Sequence, residues 1–218
     1  MKKLFLTLCI VLTSLSAFAE KGTIVLRTPQ EYQIMYISAN GKWATGVYYD
    51  YSYNPYAFRW NLESGKIELL SSLEESIPSG VSDNGVVAGK FSSTEVTTNG
   101  AAVLTPGYYD TKWHTLPLVG IFNGGSEMGQ SLGGGMTGGI SPDGRWMAGS
   151  MNTNGSLRPV VWKDGEFYKD LSDGCYGVPY CISPDGQNVS GWKYIEKGAM
   201  ATRYAAVWRN LSKDAEIL

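Results

Sequence analysis

A five-residue pattern occurs four times in this chain and constrains its fold more than any other feature. Each copy has a β-branched residue, a serine, a variable residue, an Asp or Asn, and a glycine. The copies are residues 37–41, 81–85, 140–144 and 182–186, and their serines are 44, 59 and 42 residues apart. Recurrence at a period of this size indicates a repeat architecture in which each copy belongs to one supersecondary unit.

Two further positions recur after each copy. A glycine preceded by a small residue follows four or five residues later, and a large residue that closes a short apolar strand follows 21 to 25 residues after the serine. The glycines are Gly46, Gly89, Gly149 and Gly191, and the large residues are Trp60, Leu104, Trp162 and Trp208. We therefore expect the four units to share one strand register.

The last two copies read Ser-Pro-Asp-Gly, which is typical of a type I turn whose glycine completes a three-residue hairpin loop. Such a turn joins two antiparallel strands. A third strand at 158–162 ends at a second hairpin signal, 163–165, and a fourth strand follows at 166–171. Repeated sheets of this kind predict an all-β fold, a β-propeller-like array of four-stranded antiparallel blades. We expect the second strand, with its small residues, to lie nearest the axis.

The predicted repeat domain covers residues 20–218, with units at approximately 32–70, 77–116, 136–171 and 178–218. The glycine-rich segment 120–139 is interpreted as a flexible insertion at a blade junction, because it lacks the Gly-Lys-Ser/Thr ending of a phosphate-binding loop. A β-sandwich would also accept short strands, but it does not explain the repeated spacing from serine to tryptophan.

Four units leave the closure of the array open, since exposed sheet edges favour unwanted pairing. One hypothesis is a small four-unit assembly closed by residues 23–27 pairing with the last blade. The other is that these units are the front portion of a longer propeller.

The N-terminus has the pattern of a secretory signal peptide over residues 1–19. Two lysines precede an apolar run at 4–15, and Ala-Phe-Ala at 17–19 is a small-x-small cleavage site. The alternative is a buried helix or an uncleaved anchor. Cleavage predicts a mature chain that begins at Glu20 and is exported to the periplasm, the cell surface or the medium. No later segment approaches the ~18 apolar residues of a membrane span.

Removal of the signal peptide changes the charge balance from 18 basic and 20 acidic residues to 16 and 20. An acidic chain without a basic cluster argues against nucleic acid as a partner. Export also places Cys175 and Cys181 in an oxidising compartment, which predicts a disulfide between them. A reduced pair and half of a metal site are the alternatives.

The first unit resembles a known family. Residues 56–60, Tyr-Ala-Phe-Arg-Trp, followed by Gly65 and Leu69, are similar to the extracellular HAF repeat, although Tyr56 stands where that family has histidine. The Ser-Pro-Asp-Gly turns resemble those of TolB-type propellers. The resemblance extends from about residue 32 to 218 and implies a repeat architecture. Neither family implies one shared activity, so no catalytic residue is carried over.

Residues with catalytic chemistry are scarce. His114 is the single histidine, so any triad or histidine-rich metal site would depend on it. Asp83, Asp143 and Asp185 lie in the turns, where an aspartate serves the backbone. We expect no metal and no cofactor. The alternative is an exported propeller enzyme, a glycan-active hydrolase or lyase, whose acids come together around the axis.

Tyrosines are concentrated between residues 48 and 56, where five occur in nine positions. Tyrosine combines a flat apolar ring with a polar tip, which suits recognition of sugars or proteins. The candidate binding residues are Tyr49, Tyr51 and Tyr53 in this stretch, with Tyr108 and Trp113 in a weaker second cluster. An ordinary exposed turn is the alternative. The sequence predicts a secreted or periplasmic, non-catalytic repeat protein that binds a glycan or a protein through propeller-face loops.

Overall fold

A computed structural model describes residues 32–71, 75–98, 101–117, 136–153, 156–174, 176–197 and 200–218. The regular structure in these ranges is β-sheet, apart from a short 3-10 turn at Arg209–Leu211. In these ranges, no helix has the length and apolar character needed to cross a membrane. The predicted signal peptide, residues 23–27 and most of the segment 120–139 lie outside the described residues.

Sixteen strands in these ranges form four antiparallel sheets, each built from four consecutive strands in chain order. We call the sheets blades 1 to 4. The strands are β1 (Tyr32–Ile37), β2 (Trp43–Tyr49), β3 (Pro55–Asn61) and β4 (Ile67–Leu69) in blade 1; β5 (Ser76–Val81), β6 (Val87–Thr98), β7 (Ala101–Tyr109) and β8 (Trp113–Thr115) in blade 2; β9 (Met136–Ile140), β10 (Trp146–Thr153), β11 (Ser156–Lys163) and β12 (Glu166–Asp170) in blade 3; and β13 (Gly177–Ile182), β14 (Val189–Lys197), β15 (Met200–Trp208) and β16 (Glu216–Ile217) in blade 4. The predicted all-β array of four-stranded sheets is confirmed.

The first strand of each blade lies at the centre of the array. Strands β1, β5, β9 and β13 together line a cavity of about 330 Å³, which we call the axial cavity. The expectation that the second strand lies nearest the axis is therefore wrong. The small residues of the second strand are instead required by contacts within each sheet.

The repeated glycine of the second strand faces a bulge in the first strand of the same blade. In blade 1 the pairing of β1 with β2 shifts register between Ile34 and Tyr36, and a β-carbon on Gly46 would lie 1.8 Å from the carbonyl oxygen of Gln33. In blade 4 a β-carbon on Gly191 would lie 2.1 Å from the carbonyl oxygen of Val178. Glycine is needed here because two backbones approach closely at a bulge.

The large residue of the third strand packs against the preceding blade in blades 3 and 4. Trp208 is fully buried with Ala148 and Val161 of blade 3, and Trp162 is fully buried with Ala88 and Leu116 of blade 2. Burial of such aromatic rings contributes much of the apolar area that holds adjacent sheets together.

In blade 2 this position belongs to Tyr109, so the assignment of Leu104 from spacing is wrong. Tyr109 pairs with Val87 as Trp60 pairs with Ala44, whereas Leu104 pairs with Ser92. The cause is a longer hairpin: β6 has 12 residues and β7 has 9, with a register shift between them. The extra residues displace the aromatic position along the chain.

The strand order divides the connections between two ends of the array. Neighbouring strands are antiparallel, so two sets of connections share one end of the array. They are the four serine-containing turns between the first and second strands and the connections between the third and fourth strands. We call this end the turn face. The loops that follow each second strand share the opposite end, the loop face. Residues 50–54, between β2 and β3, therefore lie on the loop face.

The turns are bonded to one another across blades. The backbone N–H of Asn40 donates to the Asp83 carboxylate at 2.8 Å, and the backbone N–H of Asp83 donates to the Pro142 carbonyl at 2.7 Å. A β-carbon on Gly186 would lie 2.1 Å from the Trp146 ring of blade 3. The turns thus connect adjacent blades as well as adjacent strands.

Candidate functional site

The loop at residues 50–54 is held in one conformation by its first residue. The Asp50 carboxylate accepts hydrogen bonds from the backbone N–H groups of Ser52 at 2.8 Å and Asn54 at 2.9 Å, and from the Asn54 side-chain amide at 3.0 Å. The Tyr53 N–H also donates to the Asp50 carbonyl at 3.0 Å. This is the local side-chain-to-backbone bonding by which aspartate stabilises turns.

The same contacts affect the ionisation of Asp50. The hydrogen bond from the Asn54 backbone N–H is the main cause that lowers the pKa of Asp50 below its usual value, and it outweighs the opposing effect of desolvation. Hydrogen bonds to an ionised carboxylate favour the charged form. Asp50 therefore anchors the loop as a carboxylate at neutral pH.

The loop presents two tyrosines to solvent. Tyr51 is fully exposed and Tyr53 is 84% exposed. Tyr53 has a φ of 63°, a left-handed conformation that costs a residue with a side chain about 1 to 2 kcal/mol. Such strain persists only where surrounding contacts enforce it, and the Asp50 hydrogen bonds supply those contacts.

The other tyrosines of this stretch belong to the sheet. Tyr48 and Tyr56 pair across β2 and β3 and are half-buried, with ring centroids 6.4 Å apart, and Tyr32 lies 5.2 Å from Tyr48. Tyr49 lies at the end of β2 and is 36% exposed. The structure therefore separates Tyr51 and Tyr53, which are displayed, from neighbours that pack.

The second predicted cluster lies on the turn face, at the opposite end of the array from Tyr51. Tyr108 is half-buried and stacks on His114 at 4.7 Å. Trp113 is half-buried and stacks on Phe91 at 4.9 Å. The structure does not bring Tyr108 and Trp113 together with the loop at 50–54.

The single histidine is engaged in a hairpin. His114 Nε2 lies 3.0 Å from the carboxylate of Asp110. Burial opposes ionisation of Asp110, but hydrogen bonds from the Thr111 backbone N–H and from His114 outweigh it and hold the pKa of Asp110 well below its usual range. Within the described ranges, no group of three or more His, Cys, Asp or Glu side chains could hold a metal ion.

The axial cavity has an apolar and aromatic lining. Its wall includes Tyr36 and Ile37 from β1 and Tyr180 and Ile182 from β13, and none of its described lining residues is acidic. Acid–base chemistry of the glycosidase type needs a pair of carboxyl groups. The described lining does not provide them.

Cys181 also lines the axial cavity and is exposed. Its predicted disulfide partner, Cys175, lies outside the described residues. The bridge stays a prediction.

Comparisons with known proteins support the fold. No family model matches the chain and no curated protein sequence matches it, so the resemblance to the HAF repeat stays a prediction. Among solved structures, a putative TolB from Agrobacterium tumefaciens has a TM-score of 0.56 and 16% identity over 83% of this chain and 62% of that one. TolB from Acinetobacter baumannii has a TM-score of 0.49 and 16% identity over 82% of this chain and 40% of that one.

The likeness to the Agrobacterium tumefaciens structure establishes a TolB-like β-propeller fold for the array. The chain spans less than two thirds of the length of either solved structure. At this level of identity, the likeness is one of fold, and function is argued from the site.

Proposed function

We propose that this protein is a non-catalytic binding propeller, and that the loop at residues 50–54 presents Tyr51 and Tyr53 to a protein partner. The observation that carries the proposal is the presence of two exposed tyrosines on a loop that internal hydrogen bonds already order. Packing against the other described residues does not explain why these two tyrosines are placed in solvent.

Because the loop is already ordered, less conformational entropy is lost when it binds a partner. Association requires that mobile side chains and loops be fixed, at about 0.5 to 1.5 kcal/mol for each ordered side chain. Asp50 has already fixed the backbone that carries both tyrosines. Tyrosine has few rotatable bonds for its contact area, and it is enriched among the residues that dominate interface energies.

The shape of the loop favours a protein over a glycan. Tyr51 and Tyr53 project from the end of a hairpin, and their exposure shows that no wall of described residues surrounds them. A sugar ring is held best against a flat or concave aromatic surface, whereas a projecting ring fits a pocket on a protein. A glycan remains the second outcome that the experiment distinguishes.

The compartment of the partner follows from the signal peptide that the sequence predicts. An exported chain would meet its partner in the periplasm, at the cell surface or in the medium. An enzyme is less well supported, because the described lining of the axial cavity has no acidic residue.

The test begins with a photoreactive amino acid at position 51, which would crosslink the partner in exported material. The partner's affinity is then measured for wild type and for Tyr51→Ala with Tyr53→Ala. Each substitution should weaken binding by about 1 to 3 kcal/mol, or roughly ten to a hundredfold. Tyr168→Ala, which truncates a half-exposed tyrosine of blade 3, is the matched control and should bind as wild type does.

A parallel glycan array with the same three proteins tests the second outcome. Binding to a glycan that depends on Tyr51 and Tyr53 would replace the protein partner with a sugar. Unchanged affinity of the double variant for its crosslinked partner would contradict the proposal.

A further inference from the structure

The loop at residues 50–54 belongs to a part of the loop face whose sequence carries acidic residues and no basic ones. Residues 48–56 include Asp50 and contain no lysine, arginine or histidine. Residues 75–81, which are β5 and the residue before it, include Glu75 and again contain no basic residue. Neither segment therefore supplies a positive charge of its own to balance its carboxylate.

A hydrogen bond between the two segments brings these carboxylates close to one another. The backbone N–H of Ala57 donates to Ser76 Oγ at 2.8 Å, so Glu75, which precedes Ser76, lies beside Tyr56. The Tyr56 hydroxyl lies 3.4 Å from the Asp50 carboxylate. Burial is the main cause that raises the pKa of Tyr56, and the negative charges of Asp50 and Glu75 raise it further. Both carboxylates thus act on one hydroxyl at the base of the loop.

Neither Asp50 nor Glu75 forms an ion pair within the described part of the chain. Other exposed acidic side chains do, as Asp164 does with Arg145 at 2.7 Å. Lys90, on the neighbouring strand β6, forms no ion pair with Glu75. The charge of the two carboxylates is therefore left for solvent or a partner to balance.

Aromatic rings in two other blades carry a cation of the chain's own. In blade 3, Lys163 Nζ lies 4.5 Å from the ring centre of Trp146 and 5.7 Å from that of Tyr168. In blade 4, the Arg203 guanidinium lies 4.7 Å from the ring centre of Trp192. The face of an aromatic ring carries partial negative charge and attracts a cation placed above it.

Tyr51 and Tyr53 have no such cation. They are the two most exposed tyrosines of the described residues, and no basic side chain in those ranges lies over either ring. The rings offer π faces for contact, and the carboxylates beside them offer negative charge. Arginine suits this combination best, because its planar guanidinium stacks on a ring and also pairs with carboxylates.

We propose that the partner places a basic side chain, arginine in preference to lysine, over Tyr51 and Tyr53, and that Asp50 and Glu75 attract it to the loop. This inference rests on the proposed function of the same loop and adds the chemistry of the partner. Charges of opposite sign across an interface speed the encounter and exclude partners of the wrong charge. The partner is thus a protein that presents a basic segment.

Two synthetic peptides test this chemistry. One is acetyl-Gly-Arg-Gly-Arg-Gly amide, and the other has citrulline in place of arginine, which removes the charge and keeps a side chain of similar shape. NMR follows the ring protons of Tyr51 and Tyr53 while each peptide is added to the exported protein. The arginine peptide should shift both sets of signals and bind about three- to thirtyfold more tightly than the citrulline peptide. Equal shifts from both peptides, or none from either, would overturn the proposal.

Glu75→Lys tests the attraction separately from the order of the loop, because the hydrogen bonds described for the loop do not use the Glu75 carboxylate. At low salt, it should weaken binding of the arginine peptide by about three- to tenfold, and added salt should reduce that difference. Asp214→Lys is the matched control, since it makes the same change of net charge at an exposed residue of the turn face. It should bind as wild type does. Equal losses in the two variants would contradict the proposal.

The partner crosslinked through position 51 separates failure of this inference from failure of the proposed function. Mass spectrometry should find a lysine or arginine beside the crosslinked residue of the partner. If Tyr51→Ala with Tyr53→Ala weakens binding of that partner while Glu75→Lys and added salt do not, the loop binds without a basic side chain and only this inference fails. If the double variant binds as wild type does, the proposed function fails as well.

Discussion

The turns of the turn face and the loop at residues 50–54 are stabilised by the same kind of local hydrogen bond, but they differ in their contacts with neighbouring blades. In both, an aspartate accepts hydrogen bonds from nearby backbone N–H groups: Asp143 from Arg145, and Asp50 from Ser52 and Asn54. The turns also bond to the next blade, as Asp83 does to Pro142. Among the described residues, the side-chain hydrogen bonds of Asp50 stay within residues 50–56. Whether such a turn connects blades or is displayed to solvent therefore depends on whether a neighbouring blade lies against it.

The largest effect is expected at a turn glycine that touches its neighbour. Gly186→Ala places a β-carbon 2.1 Å from the Trp146 ring at a residue whose φ is 73°. The left-handed strain and the steric overlap together should lower the free energy of unfolding by about 2 to 5 kcal/mol, measured by urea denaturation.

Gly41→Ala is the matched control, since its φ is 70° and no atom lies within 4 Å of the added carbon. Only the backbone strain remains, so the expected loss is about 1 to 2 kcal/mol. Equal losses in the two variants would show that contact between blades contributes nothing at Gly186.

A smaller and local effect is expected from acid at the loop. The pKa of Asp50 in the folded protein is below the ordinary value of 3.8, so its hydrogen bonds favour the ordered loop above that pH. They are lost as the pH falls through the lower folded pKa. Amide signals of Ser52 and Asn54 followed by NMR should shift with a midpoint below pH 3.8.

Asp50→Asn is the control for that titration, because it removes the ionisable group and keeps one acceptor oxygen. Its amide signals should not shift over the same range of pH. In wild type, a midpoint at or above the ordinary pKa of an aspartate would contradict the role of Asp50 in ordering the loop.

The smallest effect on stability is expected at the displayed tyrosines. Tyr51→Ala with Tyr53→Ala should change the free energy of unfolding by less than about 0.5 kcal/mol, since exposed side chains away from caps and cores rarely affect it. Thermal melting and urea denaturation measure this directly. A loss above about 2 kcal/mol would assign both tyrosines to packing.

The repeat made the four sheets predictable because each copy of the pattern contains a complete hairpin turn with its serine, Asp or Asn, and glycine. Counting from that turn failed in blade 2. The position of Tyr109 depends on the length of the β6–β7 hairpin, and strand length is set by pairing rather than by the turn. The glycines Gly46 and Gly191 were visible in the sequence, but the bulge that requires them was not.

The candidate site was predictable in part. The density of tyrosines from residue 48 to 56 pointed to the loop. Tyr48 packs because it pairs with Tyr56 within the sheet, whereas Tyr51 lies beyond the end of β2 and is exposed. Composition alone predicts Tyr108 and Trp113 as a weaker second cluster of binding residues. The structure places them on the opposite face, where each stacks on an aromatic ring of its own blade, Trp113 on Phe91 and Tyr108 on His114.

The sequence by itself determined the repeating unit, because turn formation and strand alternation depend on residues within a few positions of one another. Only the tertiary structure decided which strand lies at the axis, which turns bond across blades and which apolar residues stay exposed. These outcomes depend on contacts between residues 40 to 60 positions apart, such as Asn40 with Asp83 and Asp83 with Pro142. Ile37 and Val81 occupy the same place in the local pattern, yet Val81 is buried because it packs on Ala57 and Leu70 of blade 1, whereas Ile37 is exposed.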